Sequence, residues 1–488
     1  MERQRATEFI ERLPADVWID GEWRSASGTH RSLVVDNPAT GDVVAALAPG
    51  DPADALVACD AAAAAQPGWA GFAPRERGEV LRRCWAAMLE HRDELAGLIT
   101  LEHGKPLVDS HAEVTYAAEF FRWNAEEAVR IEGSLRVAPG GANRIIVRHP
   151  PVGVVLVITP WNFPAAMLTR KLAPALAAGN AVVVKPAAET PLTALRLAEL
   201  FHEAGVPAGA LNVVPTDRAA EWFDAAVDHL AVRMVSFTGS TEVGRVLLRR
   251  AADRVLKVTM ELGGNAPFIV FDDADLDAAV DGALLAKMRH SAQTCTAANR
   301  FFVHESVADS FSARLAAAMT ALQVDDGFNP GTDVGPMINA EAVASIDRLV
   351  AQALGAGAQA AVGGGPLDRA GHFYAPTVLR NVEHGTPITR HEIFGPVAPV
   401  ISFADTDEMI AAANDTEMGL VAYVYTADLG RGMRVSERLQ AGMIGVNRGV
   451  VSDPAAPFGG MKQSGLGREG ATEGIYEFCE TQYIATDW

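Results

Sequence analysis

Apolar and polar positions follow two different rhythms along this chain. In the first 120 residues, Val17-Trp18-Ile19 before Asp20-Gly21 predicts a short extended opening. The Ala-rich stretch 51–66, and 75–102 with apolar residues at helical spacing, predict helices. Residues 134–148 predict a hairpin that turns at Pro139-Gly140-Gly141 and stands outside the main pattern. Such a hairpin suits an oligomerisation arm.

From Val152 the rhythm becomes regular. Strands are expected at 152–158, 181–184, 211–214, 234–237 and 255–260, with helices at 165–178 and through Ala204. A second series starts with a strand at 267–271, a helix at 275–288 and a strand at 300–303. Short apolar strands alternating with helices predict βαβ units and a parallel sheet, hence an α/β fold. Ligands of such sheets bind at the carboxyl ends of the strands. The loops there are Thr159-Pro160-Trp161-Asn162-Phe163-Pro164 and 185–191.

Composition narrows the class. The 488 residues suffice for several structural units, and 49% apolar with 21% charged residues is ordinary for a globular chain. A formal net charge of −20 argues against a general nucleic-acid binder but leaves room for a local cationic pocket. The four cysteines, Cys59, Cys84, Cys295 and Cys479, stand far apart. No zinc site or disulfide framework is expected from them, and so few thiols fit a reducing compartment. The N-terminus is charged without an apolar h-region, and no apolar run approaches about 18 residues. A soluble, cytoplasmic protein without membrane partners is expected.

Cys295 lies in His290-Ser291-Ala292-Gln293-Thr294-Cys295-Thr296, among hydroxyls and an amide rather than the apolar neighbours of a structural thiol. Most lone cysteines are structural, and the other three are read that way. Glu261 ends a strand ahead of Leu262-Gly263-Gly264-Asn265 and suits a general base. Capping a helix is its blander use. Asn162 can donate its side-chain amide to a developing oxyanion. The turn Phe237-Thr238-Gly239-Ser240-Thr241-Glu242-Val243-Gly244 follows a strand and opens a helix, which suits a phosphate.

Together these blocks resemble the aldehyde dehydrogenase superfamily over nearly the whole chain. The others are Glu392-Ile393-Phe394-Gly395-Pro396 and 457–467, PFGGMKQSGLG. The resemblance implies a Rossmann-type cofactor domain at 1–130 and 150–262, an α/β catalytic domain at 263–465, and a small β oligomerisation arm at 131–149 and 466–488. Cys295 would attack the aldehyde as a thiolate, Asn162 and the Cys295 N–H would hold the oxyanion, and Glu261 would activate the water that hydrolyses the thioester. No metal is implied.

The same resemblance assigns the cofactor side. Trp161, Gly239 and Ser240 would lie by the phosphates, Lys185 by the adenine ribose, Leu262 by the nicotinamide amide, and Glu392 with Phe394 by the nicotinamide ribose. NAD-preferring members often carry Glu where this chain has Ala188, so NADP is expected, with NAD left open by Glu189 next door. Ala292 stands where the family usually has Gly.

Within the family the likeness is to succinate-semialdehyde dehydrogenases, in 159–171, 287–300 and 447–460. It implies that Arg170, Arg289 and Ser452 bind a substrate carboxylate, which a bidentate guanidinium suits. Succinate semialdehyde is the expected substrate. Glutarate semialdehyde or another small aldehyde is the near alternative, and a non-enzymatic nucleotide-binding protein the distant one. A homodimer or homotetramer is expected.

Overall fold

The computed structural model describes residues 1–28 and 31–487. Thr29, His30 and Trp488, which fall within the expected ranges 1–130 and 466–488, lie outside the described residues.

Five strands of the first sheet run parallel: Leu211–Val213, Ala181–Lys185, Val154–Ile158, Val232–Thr238 and Lys257–Glu261, in that spatial order. Every residue of Val154–Ile158 and Ala181–Lys185 is buried, as strands covered on both faces must be. The order of addition reverses beside Val154–Ile158, whose neighbours are Ala181–Lys185 and Val232–Thr238. A crevice therefore opens at the carboxyl ends of Val154–Ile158 and Val232–Thr238, where the 159–165 loop and the Gly239-Ser240 turn begin. Antiparallel edges finish the sheet, Val17–Ile19 on one side and Gly465–Leu466 on the other.

The second sheet has seven strands, ordered Gln359–Val362, Thr377–Arg380, Val397–Phe403, Ala298–His304, Ala266–Val270, Val421–Tyr425 and Met443–Val446. All but the first pair are parallel. A third, antiparallel sheet joins Ser134–Val137, Arg144–Arg148 and Gln482–Thr486. Within 466–488, Gln482–Thr486 joins this arm, whereas the helix Ala471–Glu477 packs on the helices Leu107–Glu127 and Ala166–Ala178.

The helical stretch expected over 75–102 divides at His91 into Pro74–Glu90 and Arg92–His103. Within the first 130 residues, two helices lie outside the expected set, Glu2–Glu11 and Leu107–Glu127. The second buries Ser110, Glu113, Asn124 and Glu127 alongside its apolar residues, so its inner face carries no clean apolar period. No described helix is long and apolar enough to cross a membrane.

Candidate active site

The helix Leu276–Met288 ends in a tight turn over Arg289–Ala292. His290, Ser291 and Ala292 take φ of 52°, 57° and 64° in succession, a left-handed bend that costs L-residues about 1 kcal/mol or more each. Neighbouring loops hold it. Asp109 Oδ2 accepts the His290 N–H at 2.8 Å, Ser291 Oγ accepts the Gly335 N–H at 2.8 Å, and Gln293 Oε1 accepts the Ile338 N–H at 2.9 Å. Position 292 thus suits Gly, which takes positive φ freely, and this chain places Ala there. It brings Cys295 against Gly264, where an added Cβ would stand 2.6 Å from the Cys295 carbonyl oxygen.

Cys295 lines two cavities at once. One, of about 230 Å³, is walled by Tyr116, Met167, Arg170, Arg289, Ser452 and Phe458 among others. The other, of about 220 Å³, opens at the crevice of the first sheet and is walled by Trp161, Asn162, Gly239, Ser240, Leu262, Glu392 and Phe394 among others. Burial pushes the Cys295 thiol up to about 12; Arg170 and Arg289 oppose this, while Glu392 and Glu261 add to it. The resting group is therefore a thiol.

Asn162 is buried on the cofactor-side cavity, and its Nδ2 donates to the Gln293 carbonyl at 3.0 Å. An amide has two N–H groups, so one remains for a ligand. Glu261 ends its strand as expected, but its carboxyl lines neither cavity wall. It faces Gly459, whose added Cβ would lie 2.9 Å from Oε1, and its Oε2 has no hydrogen-bond partner among the described residues. Burial and the nearby Glu469 hold its carboxyl well above the usual range, against the pull of Lys171 and Arg170.

The first-sheet cavity fits a dinucleotide. Ser240 caps the helix Thr241–Ala252, its Oγ accepting the Val243 N–H at 3.3 Å, and turns that helix N-terminus toward the cleft. Thr238 Oγ1 is buried there without a partner among the described residues. Gly244 admits Leu262, whose Cδ2 would lie 2.5 Å from an added Cβ. Glu392 accepts the Gly264 N–H at 3.2 Å, and burial raises its carboxyl to about 7. Trp161 and Phe394 meet edge to face at 5.4 Å. Lys185 and Ala188 are not on this wall. Lys185 ends its strand in register with Ile158 and donates to the Pro186 carbonyl at 2.9 Å; burial lowers its amine to about 8 against the charge of Glu189.

Arg170, Arg289 and Ser452 all reach the other cavity, yet they differ. Arg170 donates to Tyr116 Oη at 2.9 Å, lies 3.5 Å from Glu469 and covers the Phe458 ring at 3.9 Å. Arg289 makes no hydrogen bond or ion pair among the described residues. A guanidinium without a hydrogen-bond partner, on the same cavity wall as a serine, suits an anionic ligand.

Residues outside the expected set complete the two cavities. Lys105, Asp109 and Glu113 carry charge into the interior behind them. Their signal was a four-residue spacing of charges that runs from the linker at Lys105 into the helix Leu107–Glu127, and it reads equally well as a solvated face.

A buried thiol shared by two such cavities suits an oxidoreductase, and the chain's family is shown independently: the aldehyde dehydrogenase family model matches residues 23–484, and this chain belongs to that family. It is 52% identical to a succinate-semialdehyde dehydrogenase of Paenarthrobacter nicotinovorans, over 91% of this chain and 98% of that one. It is 47% identical to an NADP-dependent succinate-semialdehyde dehydrogenase of Escherichia coli and 47% identical to a glutarate-semialdehyde dehydrogenase of Pseudomonas putida, each over 96% of both chains. The crystal structure of an E. coli NADP-dependent enzyme superposes with a TM-score of 0.95 at 46% identity, covering 97% of this chain and 98% of that one.

Proposed function

We propose that this protein oxidises succinate semialdehyde to succinate with NADP. One observation carries the reading: Cys295 stands on the wall of both cavities, with an unpaired Arg289 in one and a phosphate-suited turn in the other. The names of the succinate-semialdehyde relatives support the substrate, and Ala188, which offers no carboxylate to repel a 2′-phosphate near Lys185, supports NADP.

Arg289 and Ser452 would bind the substrate carboxylate and so aim its aldehyde at Cys295. The ionised carboxylate of Glu261 is the base at hand for the thiol proton, since its charge is felt at the sulfur. The sulfur then adds to the aldehyde carbon, and the carbonyl oxygen becomes an oxyanion that takes the free N–H of Asn162. Bound NADP supplies the hydride acceptor, and Trp161, Gly239, Ser240, Leu262, Glu392 and Phe394 would hold it. Loss of hydride from carbon leaves a thioester on Cys295. Glu261, having passed the thiol proton to solvent and turned from Gly459 toward the sulfur, takes a proton from water as that water attacks the thioester carbon. The C–S bond breaks, the leaving thiolate takes that proton back from Glu261, and succinate leaves. The exposed arm residues Leu135, Val137, Tyr483 and Ile484 support self-association of the chain.

The test is kcat/KM for succinate semialdehyde, glutarate semialdehyde and butanal at saturating NADP. A preference above about 100-fold for succinate semialdehyde over butanal, about 2.7 kcal/mol, is expected of an arginine clamp. A ratio near one removes the anion site from the reading, and a higher value for the five-carbon substrate reassigns the chain length.

A further inference from the structure

Asp109 and Glu113 lie one turn apart on one face of the helix Leu107–Glu127, and Lys105 stands in the short linker just before that helix. On a surface helix such a face points to water. Here the Lys105 and Glu113 side chains are 0% exposed, and with Asp109 they are turned toward the two loops that carry Asn162 and Cys295.

The contacts are specific. Lys105 Nζ lies 2.6 Å from Glu113 Oε2 and donates to the main-chain carbonyl of Asn162, also at 2.6 Å. It sits 4.5 Å from the centre of the Phe163 ring. The other carboxylate oxygen of Glu113 accepts the N–H groups of Ala165 and Ala166 at 2.9 and 3.2 Å, where the helix Ala166–Ala178 begins. The segment 162–166 is thus gripped at both ends by one ion pair. Asp109, one turn away on the same face, grips the other loop at His290. A buried ion pair is an expensive way to stabilise a fold, since apolar residues of similar volume often do as well. It does fix geometry, because a planar carboxylate and a charged amine satisfy four partners in only one arrangement.

We propose that Lys105 and Glu113 are positioning residues for this reaction: they hold the Asn162 amide where the oxyanion forms. Neither side chain has to touch the reacting atoms. Their effect passes through the main chain of Asn162, whose amide must stay within a fraction of an ångström of its place to act on a developing charge. The proposal rests on the reading of Asn162 as the oxyanion donor.

A double-mutant cycle on the full-length enzyme tests it. The variants are Lys105→Met, Asn162→Ala and both together, followed through the burst of NADPH formed with succinate semialdehyde and through NADP binding by fluorescence. Lys105→Met is expected to slow the burst about 10- to 100-fold, with KM for the aldehyde and Kd for NADP within about threefold. Added to Asn162→Ala, it should slow the burst no further, because the amide it positions is gone. Independent, multiplying losses overturn the proposal and leave the role of Asn162 standing. A Lys105→Met variant with a wild-type burst also overturns it. An Asn162→Ala enzyme with a wild-type burst overturns both the proposal and the reading beneath it. Lys105→Met leaves Glu113 buried and unpaired, so if it does not fold the cycle is run with Lys105→Met/Glu113→Gln. There the amide oxygen still accepts the helix N–H groups and no charge remains, and the same outcomes decide.

Discussion

Arg170, in the wall of the cavity it shares with Arg289, meets Glu469, Nη1 to Oε2 at 3.5 Å, with both side chains almost wholly buried. Glu469 also holds Lys171, and Arg170 also donates to Tyr116. The Arg170 charge is therefore neutralised within the protein, whereas Arg289 in the same wall makes no ion pair among the described residues, though Asp109 feels its charge. The two arginines that a sequence motif presents as a pair have different duties.

Their variants should separate accordingly. Arg289→Leu is expected to lower kcat/KM for succinate semialdehyde about 100- to 1,000-fold, or about 2.7–4 kcal/mol, while kcat/KM for butanal stays within about threefold. Arg170→Leu is expected to act on the fold instead, because it strips one of two partners from the buried Glu469, Lys171 remaining, a loss of about 1–3 kcal/mol. Parallel substrate profiles and thermal denaturation check both. Equal losses on the two aldehydes with Arg289→Leu would remove it from carboxylate binding.

The resting state of the nucleophile gives a second expectation. Burial raises the Cys295 thiol to about 12, so its ionised fraction should grow about tenfold for each unit of pH across the neutral and mildly alkaline range. Inactivation of the cofactor-free enzyme by iodoacetamide should follow that slope from pH 7 to 9.5 without a plateau. A plateau near neutrality would reveal a preformed thiolate.

The turn 237–244 was legible from sequence because its strand end, Gly239-Ser240 step and helix start are neighbours in the chain, whereas the room that Gly244 makes for Leu262 and Gly264 for the Cys295 carbonyl shows only in the fold. The alternation of buried strands with helices was legible for the same reason, as each strand repeats one local pattern. Long-range pairing was not. Arg170 and Glu469 are 299 positions apart, and Lys105 reaches Asn162 across 57. No periodicity links them, and a charged residue on a helical stretch reads as solvated until the fold shows what covers it. The outward set of the Glu261 carboxyl was hidden likewise, being decided by Gly459 and Glu469 from far along the chain.

Glu102 carries a prediction about stability. It is 0% exposed and accepts the Leu192 and Thr193 N–H groups at 2.8 and 3.1 Å, and burial raises its carboxyl to about 8. Its folded-state value lies above the unfolded one, so the native protein keeps a proton that the unfolded chain has lost. This contribution to stability is complete below the ordinary carboxylate range and falls away as pH rises toward 8, by at most about 1.4 kcal/mol per unit. Glu102→Gln keeps an acceptor oxygen and removes the titration. Urea denaturation at pH 5 and 8 should show a smaller loss of stability in the variant than in the parent. An identical loss would assign the pH dependence to other groups.

Glu261 has two proton-transfer duties in the proposed cycle, and replacing it separates them. Its carboxyl sits well above the usual range, held there by burial and by Glu469, so the base is ionised more fully as pH rises. Hydrolysis of the thioester should therefore speed up with pH in the parent enzyme. Glu261→Gln cannot accept a proton from water, but it leaves Cys295 and the Asn162 amide in place. Mixed with NADP and succinate semialdehyde at pH 9, where more of the Cys295 thiol is ionised without help, the variant should release close to one NADPH per Cys295 and then nearly stop, with the acyl group still on sulfur. Rapid-mixing absorbance counts the burst, and intact-protein mass spectrometry finds the succinyl adduct on Cys295. Loss of the burst itself would make Glu261 indispensable for the attack as well as for hydrolysis. Steady turnover at the parent rate would take Glu261 out of the mechanism, and with it the need for its carboxyl to turn from Gly459 toward the sulfur.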